Sequence, residues 1–145
     1  MIVLLDSGPL GRLTSPKASA ANAEYQEWLR SLIVSRVRVL VPEICDYEVR
    51  RELIRRNSAQ AIKLLDGLRN NVGFLPLNTL VMLRAAELWA EARRTGQPTA
   101  PDPAIDADVI LAAQALSVNG IIATENVKHL SRFCDAKFWK DITPP

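Results

Sequence analysis

Ile2-Val3-Leu4-Leu5-Asp6-Ser7-Gly8 is the stretch on which the fold of this chain turns. A short continuous apolar run, closed by an acid and small residues, reads as a buried parallel strand followed by a turn. Such a strand needs helices over both of its faces, and the downstream sequence supplies them in alternation. Residues 20–34 show helical spacing through Tyr25, Trp28, Leu29 and Leu32. Residues 37–41, β-branched and closed by Pro42, read as a second strand. Residues 44–56 are amphipathic, with Val49, Leu53 and Ile54 opposed to arginines, and a further helix is expected from a Ser58 cap to Arg69. Residues 73–75 read as a third strand, and residues 80–94 as a helix ending near Gly96. After a proline-bearing loop, 96–103, a helix is expected from Asp106 to Val118, closed by Asn119-Gly120. Residues 121–124 read as a fourth strand, and residues 138–142 as a short fifth. The expected architecture is α/β: a three-layer α/β/α sandwich around a parallel sheet of four to five strands. One domain, residues 1–145, accommodates all of it.

Composition bounds what such a domain does. With 48% apolar and 23% charged residues and no low-complexity segment, the chain is globular. A net charge of +2 is too small to announce nucleic-acid binding, so any basic surface must be local. Cys45 and Cys134 lack the neighbours of a zinc site and form no disulfide framework; two buried free thiols are expected, with a single bridge as the alternative. The apolar runs are far too short to span a membrane, and Asp6 interrupts the N-terminal run too early for a signal peptide. A cytoplasmic protein without membrane association is expected.

The chemistry lies in the acids. Asp6 follows the first strand, where ligands bind in parallel α/β sheets. It reads either as a turn residue and helix cap or as a ligand. Asp106 and Asp108 open the apolar helix Val109-Ile110-Leu111-Ala112-Ala113-Gln114-Ala115. Positions i and i+2 of a helix point about 200° apart, so the two cannot share one task. One solution makes Asp106 the N-cap and lets Asp108 project from the first turn, where the positive helix end favours its charge. Asp108 therefore ranks above Asp106 as a ligand. Glu48 falls in the second turn of the helix after Pro42 and is ambiguous on spacing alone, whereas Glu52 reads as a partner of Arg55 or Arg56. Gathering carboxylates is costly unless something positive joins them, and a divalent metal is the natural partner.

Four segments taken in order carry a more specific signal: Ile2 through Ser7; Pro42 through Glu48; Asp108 through Ala115; and Ala123-Thr124-Glu125-Asn126-Val127-Lys128-His129-Leu130. Together they resemble the PIN-domain family over nearly the whole length, and within it the VapC-type toxin nucleases. The resemblance implies a PIN-like α/β/α fold and an Mg²⁺- or Mn²⁺-dependent endoribonuclease. It also implies an RNA substrate, a cognate antitoxin and, in many members, a homodimer. Carried over by position, Asp6, Glu48 and Asp108 match three central acids, while Asn126 stands where a fourth acid is expected. On this reading Asp6 and Asp108 hold the metal, with Asp106 as a further candidate. Glu48 serves the attacking water and Asn126 supports it, with Glu125 as an adjacent oxygen donor. The competing reading from another class is a catalytically silent PIN-like domain that binds RNA or protein. A phosphatase or response-regulator-like domain is weak, because Asp6-Ser7-Gly8 lacks a second acid two residues on.

Basic and aromatic residues complete the picture. Arg50, Arg51, Arg55, Arg56 and Lys63 read equally as a solvated helix face or as RNA-backbone contacts. Lys128, His129 and Arg132 follow the fourth strand, within reach of a phosphate near Asn126. Trp28, Trp89 and Trp139 stand at core-like spacing, and Leu83, Leu88 and Trp89 mark one candidate pairing face.

Overall fold

The computed structural model describes residues 1–96 and 102–145. Strand β1 (Ile2–Leu5) forms the centre of a five-stranded sheet with β2 (Arg38–Pro42), β3 (Gly73–Leu75), β4 (Ile121–Thr124) and β5 (Ala136–Phe138). All neighbours are parallel, in the order β3-β2-β1-β4-β5. Leu4 faces Leu40 on one side and Ile122 on the other, and Leu5 faces Ala123. Val3, Leu4 and Leu5 are fully buried because helices cover both sheet faces. Each such side chain contributes about 1.5–3 kcal/mol.

The helices are α1 (Ser7–Leu13), α2 (Ala20–Val34), α3 (Glu43–Arg55), α4 (Ala59–Asn71), α5 (Thr79–Arg94), α6 (Asp102–Ser117) and α7 (Val127–Leu130). They complete the three-layer α/β/α sandwich. Two apolar cores result. The larger lies between the sheet and its helices and includes Leu10, Leu32, Leu65 and Leu111. The smaller joins α5 to α6 through Val81, Ala85, Leu88, Val109, Ala112 and Ala113. The alanines of α6 thus serve two partners: Ala115 packs toward the sheet, while Ala112 and Ala113 admit α5.

Several boundaries differ from the sequence expectation. The turn after β1 is a helix: Asp6 caps it by accepting the Ser7 amide at 2.7 Å, and Pro9 sits in the first turn, where a missing N–H costs nothing. Helix α6 starts at Asp102 rather than Asp106, so Asp106 lies inside the helix and is not its cap. The expected loop 96–103 falls largely outside the described residues. The fifth strand is Ala136–Phe138, not 138–142, because Trp139 leaves the sheet in a 3₁₀ turn to stack on Tyr25 at 3.9 Å. The Trp28 indole N–H then donates to the Ile142 carbonyl at 2.9 Å. Trp28 and Trp139 are core residues; Trp89 is 38% exposed beneath the Arg93 guanidinium. Cys45 and Cys134 are free thiols, the first buried and the second half-buried. Among the described residues, no helix is long and apolar enough to cross a membrane.

The strand order reverses at β1. Connections from β1 run outward through β2 to β3, and those after β4 run the other way to β5. The crevice beyond the carboxyl ends of β1 and β4 is therefore the switch point where parallel sheets bind ligands.

Candidate active site

Asp6 stands at that crevice with both carboxylate oxygens engaged. Oδ1 accepts the Ser7 amide, and Oδ2 accepts the Thr124 hydroxyl at 2.7 Å. Thr124, fully buried at the end of β4, accepts the Asn126 amide at 3.0 Å through the same oxygen. One buried hydroxyl thus fixes the acid of β1 and the backbone that carries Asn126. The sequence reading noted Thr124 as part of a motif but missed this task. Its signal is a hydroxyl residue where a strand otherwise continues as apolar.

Glu48 comes from the second turn of α3, and Asp108 from the second turn of α6. With Asp6, Asn126 and His129 they line one cavity of about 160 Å³, walled by Ala107, Leu111 and Leu130. Burial raises the Asp108 carboxyl to about 6, aided by the Asp6 charge and opposed by His129 and Arg132. Burial likewise raises Glu48, reinforced by Asp6 and Asp108 and opposed by Arg51. His129 Nδ1 stands 4.0 Å from Asp108 Oδ2. Behind the acids, the fully buried Cys45 thiol is pushed well up by burial and then by the charges of Asp6 and Glu48. The Asp6 charge thus adds to burial in raising the proton affinity of Glu48 and Asp108, which is the electrostatic condition a cation relieves.

Asp106 is not brought into this cavity. It is exposed and lines a separate groove of about 400 Å³ with Met82, Ala85, Trp89 and Val109, as the i, i+2 geometry requires. Glu125 is also turned away. Its Oε1 accepts the Tyr25 hydroxyl, which raises the proton affinity of that phenol beyond the effect of burial. A β-carbon at Gly8 would stand 3.3 Å from Glu125 Oε2, so glycine leaves the carboxylate its place against α1.

The other acids of α3 have structural partners. Asp46, buried, takes a bidentate contact from Arg50 at 2.9 and 3.0 Å, and Arg50 also reaches Asp66 at 2.8 Å. That network absorbs Arg50, which the sequence left open as an RNA contact. Glu43 accepts the Leu77 amide at 2.7 Å, and Glu52 pairs with Arg55. Gln114, fully buried, accepts the Ile44 amide at 3.4 Å and donates to the Leu75 carbonyl at 2.8 Å. It ties α6 to the start of α3 and so fixes Asp108 relative to Glu48.

The donor set suits a hard divalent ion. Among the described residues, no group of three or more His, Cys, Asp or Glu side chains is placed to hold a metal ion as it stands. Mg²⁺ does not require one: it keeps several waters and takes only one or two carboxylates. Half-buried oxygens spread around a small cavity match that habit.

A parallel α/β sandwich with acids from the end of β1, from α3 and from α6 at its switch point defines the class. Residues 3–135 match the model of the PIN domain, and the chain belongs to that family. Its fold is similar to VapBC2 from Rickettsia felis bound to a promoter DNA fragment, with a TM-score of 0.73 and 16% identity over 94% of this chain and 98% of that one. DNA-bound VapBC from Salmonella typhimurium gives 0.67 and 18% identity, covering 96% and 98%. FitAcB from Neisseria gonorrhoeae gives 0.65 and 20%, covering 97% and 99%. No match was found among curated proteins.

Proposed function

We propose that this chain is an Mg²⁺- or Mn²⁺-dependent endoribonuclease of the VapC type, the toxin of a toxin–antitoxin pair. The observation that carries the reading is the convergence of Asp6, Glu48, Asp108 and Asn126 on one cavity at the sheet's switch point. A bound divalent ion supplies a Lewis acid for the phosphoryl oxygens and lowers the pKa of water. Asp6 and Asp108 are the residues that would hold it; Asp106, on another face, is not. Asp6 has its orientation set in advance by Ser7 and Thr124. Glu48, with its raised proton affinity, positions the attacking water and takes up its proton. Asn126 presents a carboxamide that orients water or phosphate without adding charge.

Toxin–antitoxin complexes among the structural neighbours support a protein antitoxin as partner. A homodimer belongs to the same proposal: Leu83 and Trp89 are exposed on α5, whereas Leu88 is buried against α6. A second reading, a silent RNA- or protein-binding domain, draws on Asn126 and on the capture of Glu125 by Tyr25.

The test is cleavage of a structured-RNA panel with Mg²⁺, Mn²⁺ or chelator, comparing wild type with Asp6→Asn. The proposal expects metal-dependent cutting that drops at least about 100-fold in the variant. Folded, inhibitor-free protein that cuts nothing would move the binding-domain reading ahead. Equal cutting by both proteins would place the chemistry elsewhere.

A further inference from the structure

Three cavities on one side of the molecule share their walls. The acidic cavity shares Ser7 and Glu48 with a neighbouring channel of about 350 Å³. That channel in turn shares Gly11, Leu53 and Arg56 with a basin of about 600 Å³ between α1, α2 and the start of α4. Charge changes along this path. It begins among Asp6, Glu48 and Asp108, passes Arg51 and Glu52, and ends among Arg12, Lys17 and Arg56. Arg12 and Lys17 are exposed, and Arg56 has only a long 3.9 Å contact with Glu52 on the surface. Exposed pairs of that kind contribute little and exchange readily. Glu125 also lines the basin, with one carboxylate oxygen already occupied by Tyr25.

The basin wall also holds an unsatisfied acceptor. Asn22 is 6% exposed; its amide nitrogen donates to the Lys17 carbonyl at 2.9 Å, and its buried Oδ1 has no partner among the described residues. Buried polar groups are otherwise paired in folded proteins, which sets this side chain apart. Gly11 on α1 leaves the wall open, since nothing would lie within 4 Å of a β-carbon there, whereas Gly8 is covered by Glu125.

We propose that this continuous groove is the track of a single-stranded RNA, with Arg12, Lys17 and Arg56 holding backbone phosphates a few nucleotides from the scissile bond. The proposal rests on the nuclease reading for the direction of the strand, not for the groove itself. An acidic cavity with a cation would take the scissile phosphate, and fixed cations farther along would take its neighbours. Phosphates favour Arg and Lys through charge-assisted hydrogen bonds, and neutralising them releases counterions. A basin of this volume is of the size that holds nucleotide-like groups, roughly 300–1,000 Å³.

The test measures fluorescence anisotropy of a labelled, mixed-sequence single-stranded RNA about twelve nucleotides long, in chelator, across a salt series. Chelator separates binding from cleavage. The full chain is compared with the double variant Arg12→Gln/Lys17→Gln, with Arg56→Gln, and with Arg30→Gln as a distant surface control. The expected result is about a fivefold or greater loss in the double variant, with the salt slope reduced by about one per cation removed. Arg30→Gln should bind as wild type, and Arg12→Lys/Arg56→Lys should retain most of the affinity. Thermal melts confirm that these exposed substitutions leave the fold intact.

Groove variants that bind RNA like wild type overturn the track. So does a wild type that ignores RNA yet binds a polyglutamate peptide through Arg12 and Lys17; the groove would then belong to an acidic protein segment. The two readings fail separately. A chain that cuts no RNA with any metal but loses RNA affinity in the groove variants keeps the track and sinks the nuclease. Metal-dependent cutting by groove variants that bind normally does the reverse.

Discussion

Asp6 ends β1, caps α1 and faces the acidic cavity, and these tasks conflict unless its rotamer is held. The Ser7 amide and the Thr124 hydroxyl hold it, one on each oxygen. Thr124→Val keeps the shape of the buried side chain while leaving Asp6 Oδ2 and the Asn126 amide without this partner. The expected cost is about 1–2 kcal/mol in urea unfolding, since two polar groups lose a buried partner. Activity should fall about tenfold, with KM for RNA little changed, because a loosened acid affects the reacting geometry more than strand binding. Thr124→Ser should recover most of the rate. If Thr124→Val loses stability but keeps full activity, the hydroxyl is only structural.

Elements meet closely where α6 turns into β4. Asn119 takes the left-handed conformation at φ 51°, and the Gly120 amide returns to the Ala115 carbonyl at 2.9 Å, closing the helix. A β-carbon at Gly120 would stand 2.4 Å from Leu4 Cδ1 and 3.3 Å from the Ile2 carbonyl. Leu4 is fully buried in the central strand and has little room to yield. Gly120→Ala should therefore destabilise by about 1–3 kcal/mol, measured as a lower urea midpoint at unchanged slope. Sequence reading foresaw the helix stop here, because Asn-Gly after an apolar helix is a local signal. It also foresaw β1 to β4, each an apolar run with clear punctuation. It missed α1 and misplaced the start of α6 for one reason. Gly8, Pro9 and Gly11 in α1, and Pro103 in α6, are residues that local propensity reads as turns. A cap, an early proline and tertiary packing overrule that propensity. The gathering of Asp6, Glu48 and Asp108 was legible through the order of four motifs. The roles of Thr124, Gln114 and Tyr25 were not, since each depends on a partner 39 to 118 residues away. Asp106 lies between these cases: the helical period says that one acid must face elsewhere and ranks Asp108 first, and the fold turns Asp106 to a separate groove, though from inside α6 rather than from its cap.

At the scale of the whole molecule, the clustered acids link folding to pH and to metal. The Asp108 carboxyl lies near 6 in the folded chain against an ordinary value of 3.8. Glu48 is raised as well. Between those values the native state binds more protons than the unfolded chain, so stability falls as pH rises through the window. Above it the full penalty applies, at most about 3 kcal/mol for Asp108. Metal-free protein should accordingly melt higher near pH 4.5 than near pH 7.5 as far as these groups decide it, the opposite of a paired carboxylate. On the metal-dependent reading proposed above, a divalent ion should reverse the trend. If it binds only the folded, ionised site, it should raise the melting temperature near pH 7.5 and lose its effect as protons compete in the acid range. Asp108→Asn removes one ionisable partner from the cavity. It should stabilise the metal-free chain by about 1–2 kcal/mol near neutral pH and flatten its acid-side pH dependence. The same substitution should shrink the stabilisation by Mg²⁺ and abolish most cleavage. Calorimetry of wild type and Asp108→Asn, in chelator and in Mg²⁺ across this range, tests each part. A variant that is less stable than wild type in chelator at neutral pH would show that Asp108 supports the fold rather than straining it.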